Sequence, residues 1–94
     1  MSTLSLHEAD RKYYLHPTSS IKDHYQQGPK LIIDRGEGIY LYDIQGKRYI
    51  DGLSSLWNVN VGHGRRELAE AAAAQMKKLA YSSSFNNFSH EPVI

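Results

Sequence analysis

Between Lys30 and Asp51 the chain reads KLIIDRGEGIYLYDIQGKRYID, and this run constrains the fold more than any other. Short apolar or aromatic stretches alternate with glycine-bearing turns, the pattern of an antiparallel meander and not of a helix. Leu31, Ile32 and Ile33 predict a first strand, closed by a hairpin turn over Asp34–Gly38 whose glycines tolerate positive φ. The next strand, Ile39–Tyr42, alternates Ile39 and Leu41 with Tyr40 and Tyr42, so one face is aliphatic while the other carries phenols with polar tips. Asp43-Ile44-Gln45-Gly46 supplies the second turn, with a side-chain acceptor at its first position and glycine at its last. Lys47–Ile50 returns as the third strand. So small a sheet is marginal in water unless a helix or another domain covers one face.

A helix is expected over residues 65–80, where Leu68, Ala72, Met76 and Leu79, widened by Ala71, form one narrow apolar stripe. Much of that stripe is alanine, which lets another backbone approach closely. Glu67 and Glu70 stand early and Lys77 and Lys78 late, matching the helix dipole. Residues 1–27 form a polar arm in which Ser5 or Ser2 caps a short helix that must stop before Pro17. The meander occupies residues 28–51, and residues 81–94 form a loop presenting Phe85 and Phe88, ending in a helix start at His90-Glu91-Pro92. A helix that begins so near the last residue buries nothing, so the end at Ile94 reads as an interruption.

Residues 52–64 join meander and helix and differ from both. The stretch Asp51–Gly64 holds three glycines, the adjacent Ser54 and Ser55, and the chain's single tryptophan, Trp57. Backbone freedom, hydroxyls and one large amphipathic ring suit a pocket wall. The competing reading is a short buried strand, with Leu56, Trp57, Val59 and Val61 in a core and Asn58 and Asn60 facing away at period two. Composition alone favours the strand.

With 94 residues there is material for one small core at most. A net charge of +1, from 11 basic and 10 acidic residues, gives no field to attract nucleic acid or anionic lipid. No window is apolar enough for a membrane span. Without cysteine there is neither a disulfide framework nor a thiolate metal site, and the charged start MSTLSLHEADRKYY is unlike a secretory signal, so a cytoplasmic setting is expected.

Single motifs yield little chemistry. His7, His16, His24, His63 and His90 show no paired spacing on one helix face, so no metal site is expected. Ser54 and Ser55 lack a positioned base, and no glycine set forms a dinucleotide fingerprint. Gly62-His63-Gly64 before a helix is a weak anion-site signal. Lys12, Lys22, Lys30, Lys47, Lys77 and Lys78 all lie in polar contexts, whereas a lysine that condenses with a carbonyl needs desolvation.

The order of segments carries more. LHP near the start, RGEGIYLYDIQGKRYIDGLSSLWNVNVGHGRRELAEAAAAQM through the middle and SFNNFSHEP at the end together resemble the N-terminal part of class III aminotransferases, closest to the ω-amino acid or amine:pyruvate type. The resemblance implies an α+β piece, comprising arm, three-stranded meander and one long helix, of the small domain of a fold type I enzyme dependent on pyridoxal 5'-phosphate. It implies a homodimer that moves an amino group from an amine or ω-amino acid to a keto acid such as pyruvate. Leu56 and Trp57 would line the substrate pocket beside the cofactor, and Phe85 would reach the active site across the dimer interface. Thr18 departs from the aromatic that often follows LHP in amine-accepting relatives, which leaves the pocket more polar or more open. The lysine that joins the cofactor, the acidic partner of its ring nitrogen and most phosphate-binding groups lie, in the family, far downstream of Ile94. No catalytic residue is therefore assigned here, and the alternative is a non-catalytic meander-and-helix binding module.

Overall fold

The computed structural model describes residues 4–94. Two compact units make up the chain, one ending at His63 and the other running from Gly64 to Ile94. In the first, helix α1 spans Leu6–Tyr13 and begins at a full capping box. Ser5 Oγ accepts from Glu8 N–H at 3.2 Å while Glu8 Oε2 accepts from Ser5 N–H at 3.0 Å, satisfying two donors that the helix cannot. The backbone bond from Ser5, followed by the hydroxyl bond, lowers the Glu8 pKa. Ser5 is thus the cap; the alternative, Ser2, lies outside the described residues. After Pro17 the Ser20 hydroxyl caps α2, Ile21–Gln27, which ends at Gly28 with φ 74°.

The meander is present, with its first turn displaced. Strands β1 (Ile33–Glu37), β2 (Tyr40–Asp43) and β3 (Arg48–Ile50) form one antiparallel sheet in the order β1-β2-β3. Asp34, Arg35, Gly36 and Glu37 were expected to turn, yet they are strand, pairing as far as Glu37 opposite Tyr40. The hairpin closes tightly at Gly38-Ile39, where only Gly38 takes positive φ, 58°. A register shift between Ile33 and Arg35 absorbs the extra residue.

The second turn forms as its sequence suggests. Gly46 sits at φ 85° and donates to Asp43 O at 2.9 Å. Asp43, 6% exposed, accepts from Gln45 N–H and Lys47 N–H, both at 2.9 Å, and from Tyr49 Oη–H at 3.0 Å. Burial opposes ionisation of Asp43, but these bonds outweigh it and the pKa is lowered; Tyr49, desolvated and facing the carboxylate, is raised. On the phenol face Arg35 lies 3.6 Å from the Tyr42 ring centroid and Arg48 4.4 Å from that of Tyr40. Guanidinium groups thereby roof both rings.

In the second unit α3 spans Arg66–Lys78, a residue or two inside the expected limits. Leu68 and Met76 of its stripe are exposed. Single 3-10 turns follow at Phe85–Asn87 and Glu91–Val93, the latter carrying the proline expected at a helix start. Among the described residues no hydrophobic side chain is buried.

Candidate functional site: a strained turn held by Asp51

The segment after β3 is not a strand. Ser54, Ser55, Leu56 and Trp57 have φ of 49°, 49°, 62° and 69°, so four successive non-glycine residues take the left-handed conformation. They close one left-handed turn, with Asn58 N–H donating to Ser54 O at 2.9 Å. Each such residue costs roughly 1–2 kcal/mol in an L-amino acid chain, and strain of this kind persists only where its surroundings impose it.

Asp51 imposes it. Its Oδ1 accepts from Ser55 N–H at 2.8 Å, and its Oδ2 accepts from Ser55 Oγ–H at 2.8 Å and from His63 Nε2 at 2.7 Å. The Asp51 side chain is 8% exposed and that of His63 16%. The backbone bond from Ser55, then the bonds from His63 and the Ser55 hydroxyl, bring the Asp51 pKa from 3.8 down to about 2. Asp51 is therefore ionised at neutral pH and can only accept, so His63 Nε2 carries a proton.

The hairpin tip anchors both ends of this loop. Asp51 N–H donates to Ile39 O at 2.8 Å, while His63 and Gly38 exchange backbone bonds of 2.8 and 3.1 Å. His63 packs so closely on β1 that a Cβ at Gly36 would stand 2.6 Å from its Cγ. Asn58 Nδ2 closes the tip by donating to Leu56 O at 2.9 Å. The result presents Leu56, 59% exposed, and Trp57, 75% exposed, on a fixed backbone. This exposure removes the buried-strand reading of Leu56, Trp57 and Val61.

Leu56 and Trp57 thus share one turn. Phe85 belongs to the second unit, where it is 77% exposed at the head of a turn whose Asn86 and Asn87 also have positive φ, 57° and 66°. Asp51 was given no site role from the sequence, and His63 figured only in the weak anion-site signal Gly62-His63-Gly64. The available signal was an acid following a strand, with a histidine flanked by glycines twelve residues on.

The sequence profile described as Aminotransferase class-III matches residues 21–94. The chain belongs to the class-III aminotransferases. Among curated proteins it is 38% identical over 84 residues to a putrescine–pyruvate aminotransferase of Pseudomonas aeruginosa, covering 89% of this chain and 18% of that protein. A transaminase from the marine bacterium Virgibacillus is 64% identical with a TM-score of 0.89, over 93% of this chain and 20% of that one. The omega transaminase of Pseudomonas jessenii in complex with PMP is 44% identical, TM-score 0.89, over 95% and 19%. A thermostable omega transaminase variant with one tryptophan replaced by glycine, engineered for asymmetric synthesis of enantiopure bulky amines, is also 44% identical, TM-score 0.88, over 94% and 19%. This aminotransferase chain therefore spans about a fifth of the length of the relatives it matches.

Class-III aminotransferases depend on pyridoxal 5'-phosphate. Every lysine of this chain is exposed, and Lys78 is held by Glu91 at 3.0 Å, so none has the desolvated setting that condensation with the cofactor's carbonyl requires. No helix is long and apolar enough to cross a membrane.

Proposed function

We propose that this chain is the N-terminal segment of a homodimeric, cytoplasmic aminotransferase that moves an amino group from an amine or ω-amino acid to a keto acid such as pyruvate. It belongs to the small domain of a fold type I enzyme, with the cofactor held by residues outside this segment and supplying the electron sink for the transfer. The segment's share is the pocket. Leu56 and Trp57 form a rigid wall against the non-reacting substituent of the amine, and Phe85 enters the site of the partner subunit.

The observation that carries this reading is the clamped left-handed turn. A chain does not hold four residues in a costly conformation to expose a leucine and a tryptophan to water without use, and such strain clusters at ligand sites. The engineered relative with a tryptophan exchanged for glycine supports a pocket role for Trp57. Glycine suits that position twice over, since it removes the ring and accepts φ of 69° without strain.

The test is Trp57→Gly in the complete protein, with amine scope and melting temperature measured together. Bulkier amines should become substrates while the melting temperature changes little, because a ring that lines an open pocket leaves no core cavity when it is removed. Phe85→Ala should widen the range in the same direction. A fall of many degrees in melting temperature with unchanged scope would return Trp57 to a packing role.

A further inference from the structure

Away from that turn, the arm gathers three groups from three backbone segments. Asp10 lies in α1, His16 in the connection ahead of Pro17 and His24 in α2. Each offers a ligand atom within 4.8 Å of the others. Asp10 Oδ1 is 2.8 Å from His16 Nε2 and 3.4 Å from His24 Nε2. The imidazole rings of His16 and His24 stand edge-on with centroids 4.6 Å apart, and Tyr14 packs edge-on to His16 at 4.5 Å.

One of these atoms is left unsatisfied. His24 Nε2 is fully buried and makes no hydrogen bond, because at 3.4 Å its orientation toward Asp10 does not give one, and the side chain is only 13% exposed. A buried ring nitrogen without a partner is costly, and native structures rarely keep one without a reason. His24 Nε2 lies 3.4 Å from the same carboxylate oxygen that His16 approaches. Two imidazoles converging on one carboxylate are the donor set that first-row divalent cations take, zinc(II) in particular.

We propose that Asp10, His16 and His24 bind a zinc(II)-type divalent cation that ties α1, the Pro17 connection and α2 together. With metal–ligand bonds of about 2.0–2.2 Å, tetrahedral ligands stand roughly 3.3–3.5 Å apart. The Asp10–His24 separation already matches this, and Asp10–His16 has to open by only about half an ångström. Three protein ligands leave a fourth position for water. His16 and His24 also line an open cavity of about 520 Å³, beside Thr18, Ser19 and Asp23, which gives that water room. Because the ligands come from separate segments, the site was invisible to a search for paired histidines on one helix face. It also gives an arm without a core of its own a reason to hold its shape.

The experiment titrates untagged, chelator-treated whole protein with zinc(II) by calorimetry and with cobalt(II) by absorption spectroscopy. One ion should bind per chain, with cobalt(II) giving visible d–d bands that zinc(II) abolishes. Asp10→Asn, His16→Ala and His24→Ala should each weaken binding by at least about tenfold. His7→Ala, in α1 but outside the cluster, should leave it unchanged. His24→Gln, which keeps bulk and polarity, guards against a variant that merely loses α2, and far-UV circular dichroism checks that the helices persist. Absence of d–d bands, or binding that survives both His24 variants, would overturn the site and leave the cluster a hydrogen-bonded clasp.

Discussion

At the scale of single residues, Asp51 decides the shape of the loop after β3 by accepting three hydrogen bonds from two residues. Its pKa of about 2 in the fold lies below the ordinary 3.8, so its stabilisation is complete above the unfolded value and is lost as pH falls through the folded one. The loop should therefore release between roughly pH 4 and 2, seen as a shift in emission from Trp57, the chain's single tryptophan. Asp51→Asn should show the released emission already at pH 7 and lack that acid transition; a parent protein with flat emission through the window contradicts the clamp. Glycines show why some residues were legible and others were not. Gly46 was readable as a turn glycine because its cause is local, a φ of 85° beside an acceptor. Gly36 looked the same but serves another end, making room for His63, and no neighbouring residue announces a close approach from so far along the chain.

Among elements, helix α1 was the most legible because its start is written in side-chain chemistry. Ser5 and Glu8 fix the start of α1, so Ser5→Ala should cost that helix about 1 kcal/mol, measured as faster amide hydrogen exchange across Leu6–Tyr13 with the sheet unchanged. The strands were legible in number and order, but the first hairpin was not. Two glycines invited a turn over Asp34–Gly38, whereas cross-strand pairing with Leu41 and Tyr40 draws Gly36 and Glu37 into β1. The left-handed turn was wholly hidden. Ser-Ser-Leu-Trp carries no intrinsic preference for positive φ, and the conformation exists because Asp51 and Asn58 hold it.

For the whole molecule, segment order revealed the family where no single motif could. Meander, clamped loop, helix and aromatic turn all fall within residues 21–94, which match the class-III aminotransferase profile. What stays uncovered is as informative as what folds. Among the described residues no hydrophobic side chain is buried, while Ile50, Leu68, Met76 and Phe88 all stand more than half exposed. Such surface calls for covering by further chain or by a second subunit. The 94-residue polypeptide by itself should melt without a sharp transition and sediment as associated species. A monomer with a single cooperative transition would contradict this.

The bond between His63 and Asp51 seals the base of the loop independently of what its tip carries. Side chains between these two residues can then be exchanged as a cassette, much as a blade is changed in a fixed handle. Grafting the intervening residues of one class-III relative onto another should transfer amine preference with the insert, so long as the aspartate, the histidine and the serine that bridges to the carboxylate travel together.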